Sequence, residues 1–262
     1  MTPSFRFLLF VLPVVWPDGL SASSADVNRL FAEAQAAFEQ ADVLPADDKA
    51  AKTEAFRRAA SLYQGIVDGG VRSGAVYYNL GNARVRAGEP GQAVAAYLLA
   101  KRYLPLDPYL EANLQSVIGP VTKPATPMIE HVFFWQNLIG YPQKFRWATT
   151  LGILTVVIAT VRLFLPSRRI RQLTLALLVL TTVASLSAVY DWYRFDFLRY
   201  GVVTVEQAVP RKGNTLQYDP VFTTPLSLGS LGVVTGQRGD WLQLRFGVDQ
   251  EGWLPKEQVA VF

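Results

Sequence analysis

Few residues here could do chemistry. The 262 residues contain one histidine, His131, which follows Glu130, and no cysteine. A histidine metal site or a Ser-His-Asp relay has only that imidazole to build on. No nucleophile or third orienting group stands near it in the sequence, so His131 reads as an interfacial or packed side chain. The lack of cysteine excludes disulfides, thiolate catalysis and cysteine-ligated zinc. A glycine-rich phosphate loop is also missing. These features predict a protein that is not an enzyme and has no catalytic, cofactor-binding or metal-binding residues.

Half of the chain is hydrophobic and only 18% is charged, a balance that places some segments in lipid. The net charge is +4. Residues 26–119 carry ten basic and eleven acidic side chains, and residues 199–262 carry six of each. The excess lies in 120–198, with eight basic against three acidic. That stretch is also the most apolar, so the charge reads as membrane topology and not as a nucleic-acid face.

Residues 1–25 have the form of a secretory signal. Arg6 precedes an apolar run, 7–16, that is too short to cross a bilayer. Ser23 and Ala25 fit the small-residue cleavage spacing. Two longer apolar runs, 147–165 and 173–190, approach the roughly 20 residues that a spanning helix needs. Pro166 and Ser167 separate them, and Arg162, Arg168, Arg169 and Arg171 surround the break. Positive charge in so short a loop assigns it to the cytoplasm. Trp135, Tyr141 and Trp147 before the first run, and Tyr190, Trp192 and Tyr193 after the second, form an interfacial belt at the opposite ends. Both flanking domains then lie outside the cytoplasm, in the periplasm of a bacterial inner membrane. Residues 120–146 read as a linker that sets the stand-off of the first domain, with 130–147 lying flat on the outer leaflet.

Four identities recur at a separation of 34: Ala59 with Ala93, Tyr63 with Tyr97, Asn79 with Asn113, and Leu80 with Leu114. The best unit, 75–107, contains Tyr77-Tyr78-Asn79-Leu80-Gly81-Asn82, a Gly88-Glu89-Pro90-Gly91 turn, an Ala93/Tyr97/Ala100 stripe and a terminating Pro105. With its Leu80-Gly81 pair, this stretch resembles the tetratricopeptide repeat, whose period is 34. It departs at Arg84, where that pattern favours Tyr. Helices over 26–41 and 47–67 would form a degenerate first unit, and 108–118 a capping half-unit. The resemblance implies a groove lined by Tyr78, Asn82, Arg86, Tyr109, Ala112 and Ser116. There Asn82 could clamp a peptide backbone and Arg86 a carboxylate. The other reading of that face is a solvated surface without a ligand.

From residue 199 the pattern turns to period two, which predicts a small all-β domain. Arg238-Gly239-Asp240-Trp241 and Gly252-Trp253-Leu254-Pro255 resemble bacterial SH3-like domains. That resemblance implies binding of proteins or cell-wall peptides. Tyr218, Phe222, Trp241 and Trp253 would be the recognition surface, unless the tryptophans belong to the barrel core or rim.

The expected architecture is therefore multidomain: a signal, α-helical tetratricopeptide repeats over 26–119, a two-helix transmembrane hairpin over 147–190, and a C-terminal SH3-like barrel over 199–262. With Phe133-Phe134-Trp135 ahead of the hairpin, that order resembles the BatE family of the bacterial aerotolerance operon. The family resemblance implies a periplasmic scaffold in a stress-response assembly with a MoxR-type ATPase and membrane proteins carrying von Willebrand factor A domains. Binding of peptidoglycan through the SH3-like domain stands beside it as an alternative.

Overall fold

The computed structural model describes residues 24–45, 47–118, 134–247 and 250–262. Residues 1–23 of the expected signal segment, and Glu130, His131 and Phe133 in the expected linker, lie outside the described residues, whereas Ser24 and Ala25 begin the first helix. Five helices come first: α1 (Ser24–Asp42), α2 (Lys49–Asp68), α3 (Gly74–Arg86), α4 (Pro90–Tyr103) and α5 (Pro108–Ile118). Short connections make each pack against the next. Local signals set the ends. Asp48 caps α2 by accepting from the Ala51 amide at 3.0 Å. Gly88, at φ +75°, supplies the left-handed residue that terminates α3. Pro90 opens α4. Asp107 caps α5 by accepting from the Tyr109 and Leu110 amides, both at 2.9 Å.

The core of this unit is built on Phe56, Tyr63 and Ile66 of α2, Tyr77 and Leu80 of α3, and Tyr97 of α4. Gly81 permits the closest approach. A Cβ there would lie 2.4 Å from the Tyr97 ring, which is itself only 1% exposed.

Two long helices follow, α6 (Tyr141–Phe164) and α7 (Arg168–Trp192). Both are long and apolar enough to cross a membrane, with mean hydropathy 1.7 for the first and 2.0 for Arg168–Phe197. At 1.5 Å per residue α6 is about 36 Å long, more than the roughly 30 Å of a hydrocarbon core. The helices pack chiefly on each other, with Thr155 and Thr181 hydroxyls in contact at 2.9 Å. Ile153, Val157, Val179 and Leu186 point outward, exposed. The helix begins six residues before the expected start at 147, so 141–147 continue into it and do not form a separate flat segment. Hydropathy hid this start because Lys144 and Arg146 dilute it, whereas Pro142 at the first turn favours it.

A π-turn (Tyr193–Phe197) leads into five antiparallel strands: β1 (Tyr200–Val203), β2 (Leu231–Arg238), β3 (Trp241–Arg245), β4 (Glu251–Pro255) and β5 (Val259–Val261). Their order is β4-β3-β2-β1-β5. A 3-10 turn, Lys256–Gln258, separates β4 from β5. Inward residues Val203, Leu242, Leu244, Leu254 and Val259 make the core of the sheet.

The helical unit is packed against the other two parts. Tyr77, Val94 and Leu110 share one apolar cluster with Val202 of β1 and Leu228 of the connection from β1 to β2. A Cβ on Gly91 would meet Thr204 Cα at 2.3 Å, which shows how closely α4 approaches β1. Arg102 of α4 lies between the rings of Phe195 and Phe262, at 4.7 and 5.2 Å from their centroids. It also donates to the Phe195 carbonyl. These contacts set the spacing between the helical unit and the hairpin, a role expected of the linker.

Candidate ligand groove

The spacing of Tyr78, Asn82 and Arg86 puts all three on one face of α3. Beside that face is a cavity of about 320 Å³, lined by Phe38, Asn82, Val85, Arg86, Tyr97, Asn113 and Ser116. Four helices contribute: α1 through Phe38, α3 through Asn82 to Arg86, α4 through Tyr97, and α5 through Asn113 and Ser116.

A hydrogen-bond network fixes the floor. Asn82 Oδ1 accepts from the Tyr97 hydroxyl at 2.8 Å and from Asn113 Nδ2 at 2.9 Å. Asn113 Nδ2 also donates to the Tyr78 hydroxyl at 3.0 Å. Burial pushes the Tyr97 hydroxyl above the usual tyrosine range, and neighbouring Tyr78 adds to the effect. Tyr97 therefore stays a neutral donor. With Asn82 held by its oxygen, its two amide hydrogens are left for a ligand carbonyl. Among the described residues no protein group takes them.

The mouth is set by Arg86. Its guanidinium lies 3.3 Å from Asp42 Oδ1 and 5.5 Å from the Phe56 ring centroid. Both partners of the ion pair are about half exposed. Such a pair contributes about 0–1 kcal/mol, so an incoming carboxylate can replace Asp42 at little cost.

The groove lies at one end of the helical unit. Gly74, at the start of α3, packs on Tyr103 and Leu104. The Tyr103 ring is 6.5 Å from that of Tyr141, at the start of α6. Arg86 is twelve residues along α3, about 18 Å from that contact. Arg86 therefore lies at the end of α3 remote from the hairpin contact.

Of the expected groove residues, Asn82, Arg86 and Ser116 line the cavity, and Tyr78 lies beneath it as a partner of Asn113. Tyr109 does not join them. It is 74% exposed, at the other end of α5. Phe38, Val85, Tyr97 and Asn113 were not foreseen as lining. Asn113 had a signal, its repeat relation to Asn79. Phe38 had none, because α1 meets α3 only through the tertiary packing of α2.

The expected surface on the sheet is dispersed. Trp253 is buried, with the Arg238 guanidinium 5.5 Å from its ring centroid. Phe222 packs edge-on against Phe246, 5.9 Å between centroids. Tyr218 is half-exposed, and its ring covers Gly213. Trp241 sits half-buried at the start of β3. Among the described residues none of these four rings touches another. Arg162, Arg168, Arg169 and Arg171 are all exposed around the turn between α6 and α7.

One buried charged cluster has no counterpart in the sequence reading. Lys144 of α6 and Asp191 of α7 form an ion pair at 2.5 Å, with their side chains 3% and 5% exposed. Lys144 Nζ also donates to the Gln136 backbone carbonyl at 2.7 Å and to its side-chain oxygen. That same oxygen accepts from Ser187 at 3.0 Å. No group of three His, Cys, Asp or Glu able to hold a metal occurs among the described residues. No protein-family model, curated protein or solved structure matches the chain.

Proposed function

We propose that the chain is a non-enzymatic scaffold, anchored in the inner membrane by α6 and α7, that binds a protein partner in the groove of the helical unit. The observation that carries this reading is the groove itself. It combines spare amide donors on a rigid floor, apolar walls at Phe38 and Val85, and a guanidinium at the mouth with an exchangeable partner. That set suits an extended peptide: donors for its carbonyls, apolar surface for a side chain, and Arg86 for a carboxylate.

Other features support the domain assignments. The consecutive helical hairpins, the Gly81–Tyr97 contact and the matched burial of Leu80 and Leu114 agree with tetratricopeptide packing. The strand order, the long 204–230 connection and the 3-10 turn before β5 agree with an SH3-like domain. The arginines at the α6–α7 turn favour the cytoplasm for that turn and the periplasm for both domains. The resemblance to the BatE family supplies the class of partner, membrane proteins with von Willebrand factor A domains in a stress-response assembly. A cell-wall role would have to rest on Trp241 and Tyr218, because Trp253 is covered.

Co-purification from gently solubilised membranes tests the proposal. A discrete partner that accompanies the native chain and is lost with Arg86→Glu supports it. A partner set unchanged by Arg86→Glu and by Val85→Glu would exclude the groove.

A further inference from the structure

The end of the helical unit opposite the groove packs against the start of α6. The α4–α5 turn, Leu104 to Pro108, begins beside the first residues of α6. A Cβ on Gly140 would lie 2.6 Å from the Tyr103 carbonyl oxygen, and the Tyr103 and Tyr141 rings meet edge to face. Leu106 is three residues farther, within about 11 Å of chain. It is 65% exposed, and Tyr109, three residues on, is 74% exposed. Leu138 and Ile139, just before α6, are exposed as well. Trp147, Trp192 and Tyr193, near the same end of the hairpin, are also exposed.

The backbone of this turn suits a poorly hydrated surface. Pro105 and Pro108 have no N–H to satisfy. The Asp107 amide donates to the Leu104 carbonyl, and the Asp107 carboxylate is occupied by the Tyr109 and Leu110 amides. Lys101 and Glu111, flanking the turn, neutralise each other at 2.6 Å. The exposed side chains at 106, 108, 109, 138 and 139 are apolar or aromatic, the composition that settles at a headgroup boundary.

We infer that Leu106 and Tyr109, with Leu138 and Ile139, form a lipid-contacting foot that rests the helical unit on the outer leaflet. This rests on the reading that α6 and α7 cross the membrane. Together with Arg102 held between Phe195 and Phe262, the foot fixes the tilt of the unit and keeps the groove open toward the aqueous side.

The native chain has no cysteine, so single-site labelling needs no prior removal of thiols. Leu106→Cys, Tyr109→Cys, Val43→Cys and Val157→Cys would each carry an environment-sensitive fluorophore in full-length protein in phosphatidylethanolamine/phosphatidylglycerol vesicles. Quenching by spin-labelled lipid is compared with quenching by aqueous iodide. Labels at 106 and 109 are expected to be quenched by lipid labelled near the headgroup, with iodide quenching several-fold below that at 43. The label at 157, in mid-span, reports the hairpin separately. If it responds to deep lipid quenchers while 106 and 109 respond to iodide as 43 does, the foot does not exist. Labels at 106 and 109 shielded from both quenchers would make the patch a protein contact, which also overturns the inference. If 157 is accessible to iodide, the spanning reading fails first and the foot with it.

Discussion

Replacing Lys144 by Met removes one half of a buried ion pair and leaves the other half in place. Asp191, 5% exposed, would keep its carboxylate in the helix interface with only the Arg194 charge left to offset it. Two acceptors on Gln136 lose their donor as well, although Ser187 still reaches its side-chain oxygen. Breaking such a pair from one side costs about 3–5 kcal/mol, because the remaining charge is desolvated without compensation. The paired substitution Lys144→Met with Asp191→Leu removes both charges; Met matches Lys in volume and Leu adds bulk at 191, so most of the loss should be recovered, to within about 2 kcal/mol of native. Unfolding in mixed micelles with increasing dodecyl sulfate, followed by tryptophan fluorescence, measures both. A single-variant loss below about 1 kcal/mol, the level of an exposed pair, would refute the reasoning that removing Lys144 leaves a buried charge uncompensated.

Gly81→Val drives a branched side chain into the Tyr97 ring, which has no room to retreat; overpacking of about 1–3 kcal/mol or more should appear as a lowered melting temperature. Asp42→Ala removes only an exposed ion pair, so stability should stay within about 1 kcal/mol while partner recovery rises, read by co-purification. Burial holds Tyr63, Tyr77, Tyr97 and Tyr103 above the usual tyrosine range, Tyr103 at about 12. The unfolded chain releases these protons near pH 10, so stability is intact below about pH 10 and falls as pH rises toward 12. Tyrosinate absorbance and helical ellipticity should then change together in an alkaline titration.

Much of the architecture was legible because it rests on local pattern. The helix expected over 108–118 is α5, since Pro108 and the Leu110/Leu114 spacing fix it without tertiary help. The turns at Gly88 and at Arg238-Gly239-Asp240 lie where the sequence places them. The two long apolar helices are marked by their apolar centres, but the pattern starts them too late. Lys144 looks polar until Asp191, 47 residues away, neutralises it. The groove was half legible. Helical spacing gives Asn82 and Arg86 a common face, but it says nothing of Phe38 from α1 or of Asp42 already holding Arg86. Tyr97 was assigned to the core, and it is core; that its hydroxyl also anchors the groove floor depends on the approach that Gly81 permits.

The central claim is that the groove of the helical unit is a protein-binding site facing away from the membrane. Photo-crosslinking in intact membranes from Val85 and Ser116, two lining positions outside the Asn82 network, tests it most directly. The account predicts one discrete protein adduct from both positions, abolished by Arg86→Glu and retained from neither Val43 nor Leu106. Adducts only with lipid or with the chain itself, or the same adducts from Val43, would contradict it.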